Sequence, residues 1–464
     1  MKLSKKLNYL LKNIGYITVG NFASRLMSFI LVPVYTTKLS TAEYGSVDLV
    51  FTTLSLLLPI LSLEINEAVL RFSLSENVTK KDSIFSIGVA ISSFSFFIFI
   101  VLFPITLFFE TFREYWLYII MLYMTNVVYV CLSQFAKGNR YIKEYSICGF
   151  IHTIITAFLN ILFLVVFECK VNGYLLSYIL GYIFASLYLV IILYKDIKIL
   201  SFRKIERSDV KQMLRYSVPL IPNAVCWWIN NASDKYILAI FCNTAMVGLY
   251  SIAYKIPSLL SVVSSIFFSA WQISAVDDFG KKECQVFYSK IYRAFFILNA
   301  LVCVILITGS KQIAYILYAN DFFDAWRYSV ILICAYFINA LSTFLGTIYT
   351  TSQKTKMLLL SSLIAAIINI VMNLLLIPIF GAFGAAIATL ASYGVVFVVR
   401  IYDTRKIIPL SYNIIECMFL FGIMIGSALT SLSGNAVINL TICGLAIIYN
   451  VFILCKSLLP HLKH

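Results

Sequence analysis

The sequence predicts an all-α polytopic membrane protein of about fourteen transmembrane helices, built as two parallel six-helix lobes plus two extra C-terminal helices. Three observations carry this. Of 464 residues, 61% are hydrophobic and only 12% charged, whereas soluble chains are nearer half apolar and a quarter charged. The apolar residues fall in repeated runs of about twenty, the length that crosses a hydrocarbon core as a helix. The basic residues gather in alternate loops. Backbone groups in lipid must be satisfied internally, so the runs are helices. Because they are continuous rather than alternating, a barrel is excluded.

The runs lie at 14–35, 45–70, 84–108, 115–136, 146–168, 174–194, 213–241, 247–271, 291–310, 326–350, 357–379, 382–400, 413–432 and 436–455. The basic stretch Met1–Lys12 precedes the first, which is too long for a signal peptide, contains Arg25 and lacks a small-x-small cleavage site. With the N-terminus in the cytoplasm, inside segments collect most of the bases, including Lys195–Arg215, Lys281–Arg293 and Arg400–Lys406. Outside segments keep only Lys38, Arg113, Lys170, Lys311 and Arg327. This is the positive-inside pattern, and an even span count puts both termini inside. It also accounts for the net charge of +15, which in a soluble chain would suggest nucleic acid; no nucleic-acid partner is expected. The domains follow: a six-helix lobe at 1–194, a cytoplasmic linker at 195–212, a second lobe at 213–400, and two extra helices and tail at 401–464.

The lobes repeat weakly and in register. Thr41-Ala42-Glu43-Tyr44-Gly45 follows span one, and Thr244-Ala245-Met246-Val247-Gly248 follows span seven. Lys143 precedes Asn160 by the same distance that Lys356 precedes Asn373. Both first spans run inside to outside, so the repeat is parallel, an arrangement typical of transporters with a site between repeats.

Polar residues inside spans mark candidate sites, because a charge at the bilayer centre costs about 2.5–3.5 kcal/mol and normally faces a cavity or a partner. Span one carries Asn21 and Arg25; span seven carries Asn230, Asp234 and Lys235; span eight carries Lys255. Asn and Ser recur at helical spacing beside them, which defines wet faces, although interhelical hydrogen bonding alone would use the same residues. Arg25, Lys235 and Lys255 would form a cationic lumen for an anion. Glu67 and Arg71, four apart, suggest a structural ion pair; Glu64 has no local partner and is a candidate for coupling a proton or cation. Trp116, Trp271 and Trp326 stand near span ends, where aromatic rings anchor at headgroups. The eleven cysteines form no C-x-x-C pair, and the three histidines have no second ligand at metal spacing, so neither metal nor cofactor is expected.

Gly20-Asn21-Phe22-Ala23-Ser24-Arg25, Leu39-Ser40-Thr41-Ala42-Glu43-Tyr44-Gly45, Ala68-Val69-Leu70-Arg71-Phe72, Asp234-Lys235-Tyr236-Ile237-Leu238 and Val247-Gly248-Leu249-Tyr250-Ser251-Ile252-Ala253-Tyr254-Lys255, in that order, resemble Wzx-type polysaccharide flippases of the multidrug/oligosaccharidyl-lipid/polysaccharide superfamily. The resemblance covers essentially the whole chain. It implies alternating access, a polyprenyl-diphosphate-linked glycan such as an O-antigen or capsule unit as substrate, a bacterial cytoplasmic membrane, and a glycan polymerase and glycosyltransferases as pathway partners. A drug/cation antiporter of the same superfamily is the alternative, though its lumen should favour acids. A membrane-embedded polymerase or ligase would need an acid–base constellation on a sizeable outer loop, and no outer segment carries one. No nucleotide-binding motif is present.

Overall fold

A computed structural model of the chain describes residues 26–74, 81–106, 110–194, 205–280, 284–352 and 354–433, with a few positions beyond. No strand occurs among them. The chain forms two compact units that meet in sequence between Trp228 and Ile229. Eleven helices among the described residues are long and apolar enough to cross a membrane, and they coincide with eleven of the expected runs. The first expected run is described only from Leu26, where an apolar helix continues to Lys38; the run at 436–455 falls almost wholly outside the described residues. The seventh, read as one helix over 213–241, is two. A helix over Arg207–Ser217 ends in a 3-10 turn at Val218–Leu220, where Pro219 sits, and a second covers Ile221–Phe241.

The first unit opens with α1 (Val32–Lys38) and α2 (Thr41–Leu61). Ser40 caps α2 by a reciprocal box with Glu43: its hydroxyl accepts from the Glu43 N–H at 3.2 Å while the Glu43 carboxylate accepts from the Ser40 N–H at 2.8 Å, which satisfies two donors left over at the helix start. The second expected span is not continuous. α2 stops at Leu61, Leu63 and Glu64 adopt left-handed φ of 53° and 50°, and α3 starts again at Ile65 and runs to Ser73. Pro59 lies just before the break; its missing N–H weakens the ladder there. α4 (Lys81–Thr106), α5 (Glu110–Glu114), α6 (Trp116–Gly138), α7 (Ile142–Ile161, continued by a π-turn to Val166), α8 (Lys170–Ile192) and α9 (Arg207–Ser217) complete the unit with the first part of α10 (Ile221–Phe241). Its core at one end joins α3, α4, α6 and α9 through Val69, Phe85, Phe135 and Met213.

The second unit continues α10 and adds α11 (Thr244–Ala253), α12 (Lys255–Asp278), α13 (Cys284–Leu317), α14 (Ala325–Thr351), α15 (Thr355–Phe380), α16 (Ala382–Thr404) and α17 (Ile414–Ser433). α14 is the central helix, packed by α12, α13 and α16. α15 turns into α16 at Gly381, whose φ is +56°. One turn on, Gly384 lies so close to the Leu376 carbonyl that a Cβ would sit 2.4 Å from its oxygen, so only glycine fits. α11, like α2, starts behind a side-chain cap: Asn243 Oδ1 accepts from the Met246 N–H at 2.8 Å. Asn160 and Asn373, matched by spacing, are both fully buried.

Two expectations about single residues change. Trp271 and Trp326 are 3% and 5% exposed, so among the three tryptophans only Trp116 suits an interfacial anchor. Trp271 instead stacks on Phe344 with centroids 4.9 Å apart and donates to Thr347 Oγ1 at 3.0 Å. Arg400, grouped by sequence with the loop bases, is buried among α14, α15 and α16. A base at the end of an apolar run reads as a flank, but α16 continues to Thr404.

Candidate functional site

The deep polar face lies in the second unit and begins on α10. Asn230, Ser233 and Asp234 are three and four apart and share that face. Asn230 Nδ2 donates to the Ser362 carbonyl at 3.3 Å, and the Ser233 hydroxyl to Asn369 Oδ1 at 3.0 Å. Asn369 in turn accepts from Asn373 Nδ2 at 2.9 Å. α10 is thus tied to α15 by amides and hydroxyls over two turns.

Asp234 is 1% exposed. One carboxylate oxygen accepts from the next backbone N–H, that of Lys235, at 2.9 Å; the other accepts from the Tyr254 hydroxyl at 2.8 Å. Tyr250 and Tyr254 share a hydroxyl contact of 3.2 Å, and the Lys235 ammonium stands 5.9 Å from the Tyr254 ring centroid. Tyr254 occupies the joint where α11 ends and α12 begins, and Lys255 is the next residue. The partly buried Lys255 side chain makes no hydrogen bond or ion pair among the described residues. Arg400 closes the far side of this face: its guanidinium donates to Ser361 Oγ at 3.0 Å, the Ser342 carbonyl at 2.8 Å and Ser362 Oγ at 3.4 Å.

Of the residues expected from sequence, the structure therefore brings Asn230, Asp234 and Lys235 to one polar face and puts Lys255 at the helix joint that Asp234 holds. Asn21 and Arg25 lie outside the described residues. Glu64 sits at the break between α2 and α3 in the first unit. The ion pair expected between Glu67 and Arg71 is not formed: Glu67 Oε1 accepts from Gln134 Nε2 of α6 at 3.1 Å, and Arg71 is exposed. The spacing was right for a pair, but α6 packs on α3 and supplies a nearer donor.

One feature of the first unit was missed. α7 carries Tyr145, Ser146, Gly149, His152, Thr153 and Thr156 on one side, and Phe150, Ile154 and Phe158 exposed on the other. The first set lines a cavity of about 300 Å³ closed by Tyr35, Tyr129 and Tyr178. The signal was present as a polar stripe at helical spacing, but it has no charge to draw attention.

Similarity to known proteins agrees with this architecture. The family described as "Polysaccharide biosynthesis protein" matches residues 10–272. The protein named "Probable low-salt glycan biosynthesis flippase Agl15" from Haloferax volcanii is 20% identical over 218 residues. That match spans 46% of this chain and 46% of the relative, so it reaches about half the length of the curated protein. Among solved structures, "Lipid II flippase MurJ, inward closed conformation" superposes with a TM-score of 0.70 at 14% identity, covering 96% of this chain and 99% of that one. An inward-facing multidrug resistance MATE family transporter of the MOP superfamily superposes with 0.62 at 14% identity, covering 84% and 95%.

Proposed function

The chain belongs to the polysaccharide biosynthesis protein family, and from that premise we propose that it is a flippase carrying a polyprenyl-diphosphate-linked oligosaccharide across a cytoplasmic membrane by alternating access. The observation that carries the reading is the deep cationic pair Lys235 and Lys255 within a membrane protein of this family. A diphosphate entering a low-dielectric cavity loses several kcal/mol of solvation unless opposite charge awaits it. Lys235 and Lys255 would supply point charges to it, and Arg25, expected on the first span and outside the described residues, is a base with a planar fork suited to phosphate. Asp234 takes a different role from the one its position suggested. It holds Tyr254 and so fixes the joint that presents Lys255, which makes it a positioning residue; Asn230 likewise fixes α10 against α15. On this reading the protein has no catalytic residue. Its working partners are the enzymes that build and polymerise the glycan.

The test is complementation in a strain lacking its own flippase gene. Lys235→Ala, Lys255→Ala and Arg25→Ala should each stop appearance of the surface glycan at normal membrane abundance, and Arg25→Lys should restore it only in part. Normal glycan from all three alanine variants would remove the cationic-lumen mechanism. The MATE-like fold keeps a drug/cation antiporter as the second reading. Efflux of cationic dyes that survives Lys235→Ala, without glycan export by the wild type, would favour it.

A further inference from the structure

The cavity of the first unit has a chemistry of its own. Its walls come from the helix leading into α1, from α6, α7 and α8, and among the described residues no Lys, Arg, Asp or Glu lines it. The described lining itself offers an anion no counter-charge and an organic cation no acid; Lys137, outside that lining, stands 5.6 Å from the Tyr145 ring centroid. The walls are not simply apolar either. They combine packed rings with hydroxyls, the mixture that pockets use to hold and orient small ligands.

The rings are fixed before any ligand arrives. His152 stacks on Tyr182 with centroids 4.4 Å apart and planes 26° from parallel, and Tyr129 stands 5.4 Å from it. Tyr178 stacks on Tyr174 at 5.2 Å and 22°. A ligand therefore meets flat surfaces with little ordering left to do. The hydroxyls are also set. Ser146 donates to the Ile142 carbonyl at 2.9 Å and Thr153 to the Gly149 carbonyl at 2.9 Å. With its proton engaged, the Ser146 oxygen offers lone pairs, so it presents an acceptor. The His152 ring turns its Cδ2 edge toward Gly181, where an added Cβ would lie 3.3 Å away; its Nε2 is buried with no hydrogen-bond partner among the described residues. An acyl chain would make no use of the Ser146 acceptor, whereas a hydroxylated ligand can donate to it.

We propose that this cavity is a subsite for one neutral pyranose ring of the transported glycan. The ring's C–H faces would lie on Tyr129 and Tyr178, and its hydroxyls would donate to the oxygens on α7. The assignment of the ring to the cargo rests on the flippase reading; the binding chemistry does not.

Gly149 gives a clean test. It lines the cavity, and a Cβ built on it meets nothing within 4 Å, so Gly149→Leu enters the cavity with no clash at its first carbon. Gly422 of α17, in the other unit, is equally open and serves as the control. The full-length protein in nanodiscs is titrated with methyl hexopyranosides of glucose, galactose and N-acetylglucosamine, with glucuronate and with tetraphenylphosphonium, and binding is read by saturation-transfer NMR. At least one neutral glycoside should bind in preference to both charged probes. Gly149→Leu should weaken it by at least about tenfold, equivalent to one lost anchoring contact. Thr153→Val, near in shape but without the hydroxyl, should weaken it about threefold, and Gly422→Leu should change nothing.

Glycan export is measured in the same variants. Export by the wild type together with unaltered binding and export in Gly149→Leu would overturn the subsite and leave the flippase standing. Glycoside binding that Gly149→Leu removes, with no export by the wild type in the deleted strain, would do the reverse. Preference for the cation, or no neutral glycoside bound, would also overturn the proposal.

Discussion

At the scale of the residue, the instructive group is Asp234. A carboxylate this buried is costly unless its lone pairs are met, and here neutral donors meet them. The Tyr254 hydroxyl supplies a 2.8 Å contact that crosses from the α11–α12 joint, with Tyr250 of α11 as a second hydroxyl beside it. Tyr254→Phe should therefore remove the first of these hydroxyls, leave Tyr250 as the one hydroxyl of the two to meet the carboxylate, and cost about 1 kcal/mol. Thermal unfolding in detergent should shift down by a few degrees, and glycan export should fall because Lys255 loses its mounting. Asp234→Asn keeps an acceptor for Tyr254 and should be milder in stability. Equal unfolding temperatures for wild type and Tyr254→Phe would remove this account. Half of the arrangement is legible in sequence. Asp234 and Lys235 stand out because charge inside an apolar run is conspicuous. Tyr254 does not, since a tyrosine at a helix joint twenty residues away looks like any other aromatic in a chain that is 16% aromatic. The same limit hid His152 and buried Arg400: side-chain partners come from packing between distant segments, which a local pattern does not encode.

At the scale of the element, the broken second span and the attachment of α17 are the features that decide behaviour. Two successive left-handed residues cost about 1–2 kcal/mol each, because the Cβ crowds the following carbonyl. Glu64→Gly should relieve that strain and raise stability by about 0.5–1 kcal/mol after the extra chain entropy of glycine. Glu64→Gln keeps the strain and removes only the charge. If Glu64 couples transport to protons, both variants should lose the pH dependence of flipping in vesicles while only Glu64→Gly raises the unfolding temperature. Unchanged pH dependence would leave Glu64 with its role at the break alone. α17 is held by Arg293 of α13, which grips Glu416 through two contacts of 2.6 and 3.2 Å. The carboxylate is 6% exposed and Arg293 47%. Removing the base strands a buried charge, yet water reaches the arginine side, so Arg293→Ala should cost about 1–3 kcal/mol. Limited proteolysis should then cut the 405–413 connection sooner, and adding Glu416→Gln should restore much of the resistance. Sequence places α17 as a span over 413–432, but Glu416 at the start of that apolar run shows no partner there. Elsewhere the ends are tied more weakly. Lys38 bonds Glu168 at 2.9 Å and holds its carboxyl below the usual range. That tie is therefore complete above ordinary carboxylate pKa values and lost as pH falls through the lowered one; both partners meet solvent, so salt screens it.

At the scale of the whole molecule, orientation follows from loop charge rather than from packing. Four of the five bases expected outside are engaged locally: Lys38 with Glu168, Lys170 with Glu43, Arg327 with Asp324, and Lys311 over the Trp326 ring. Bases such as Lys354 and Lys356, by contrast, enter no ion pair among the described residues, and the segments expected inside carry many more Lys and Arg than those expected outside. The membrane should then retain those base-rich segments in the cytoplasm. Cys169 makes this testable. It is the exposed member of the described cysteines, in the connection between α7 and α8 beside Glu168 and Lys170. With both termini inside, that connection is outside. A variant keeping Cys169 as its only cysteine should be labelled in intact cells by an impermeant maleimide. A second variant, with cysteine placed only at Lys204 in the linker, should be labelled only after the cells are opened; position 204 lies outside the described residues, so it tests the charge rule without help from the fold. Ion pairing beside Cys169 could slow the reagent but not reverse the contrast between the two sites. Labelling of position 204 from outside, with Cys169 protected, would invert the protein in the membrane and with it the direction in which a glycan could be carried.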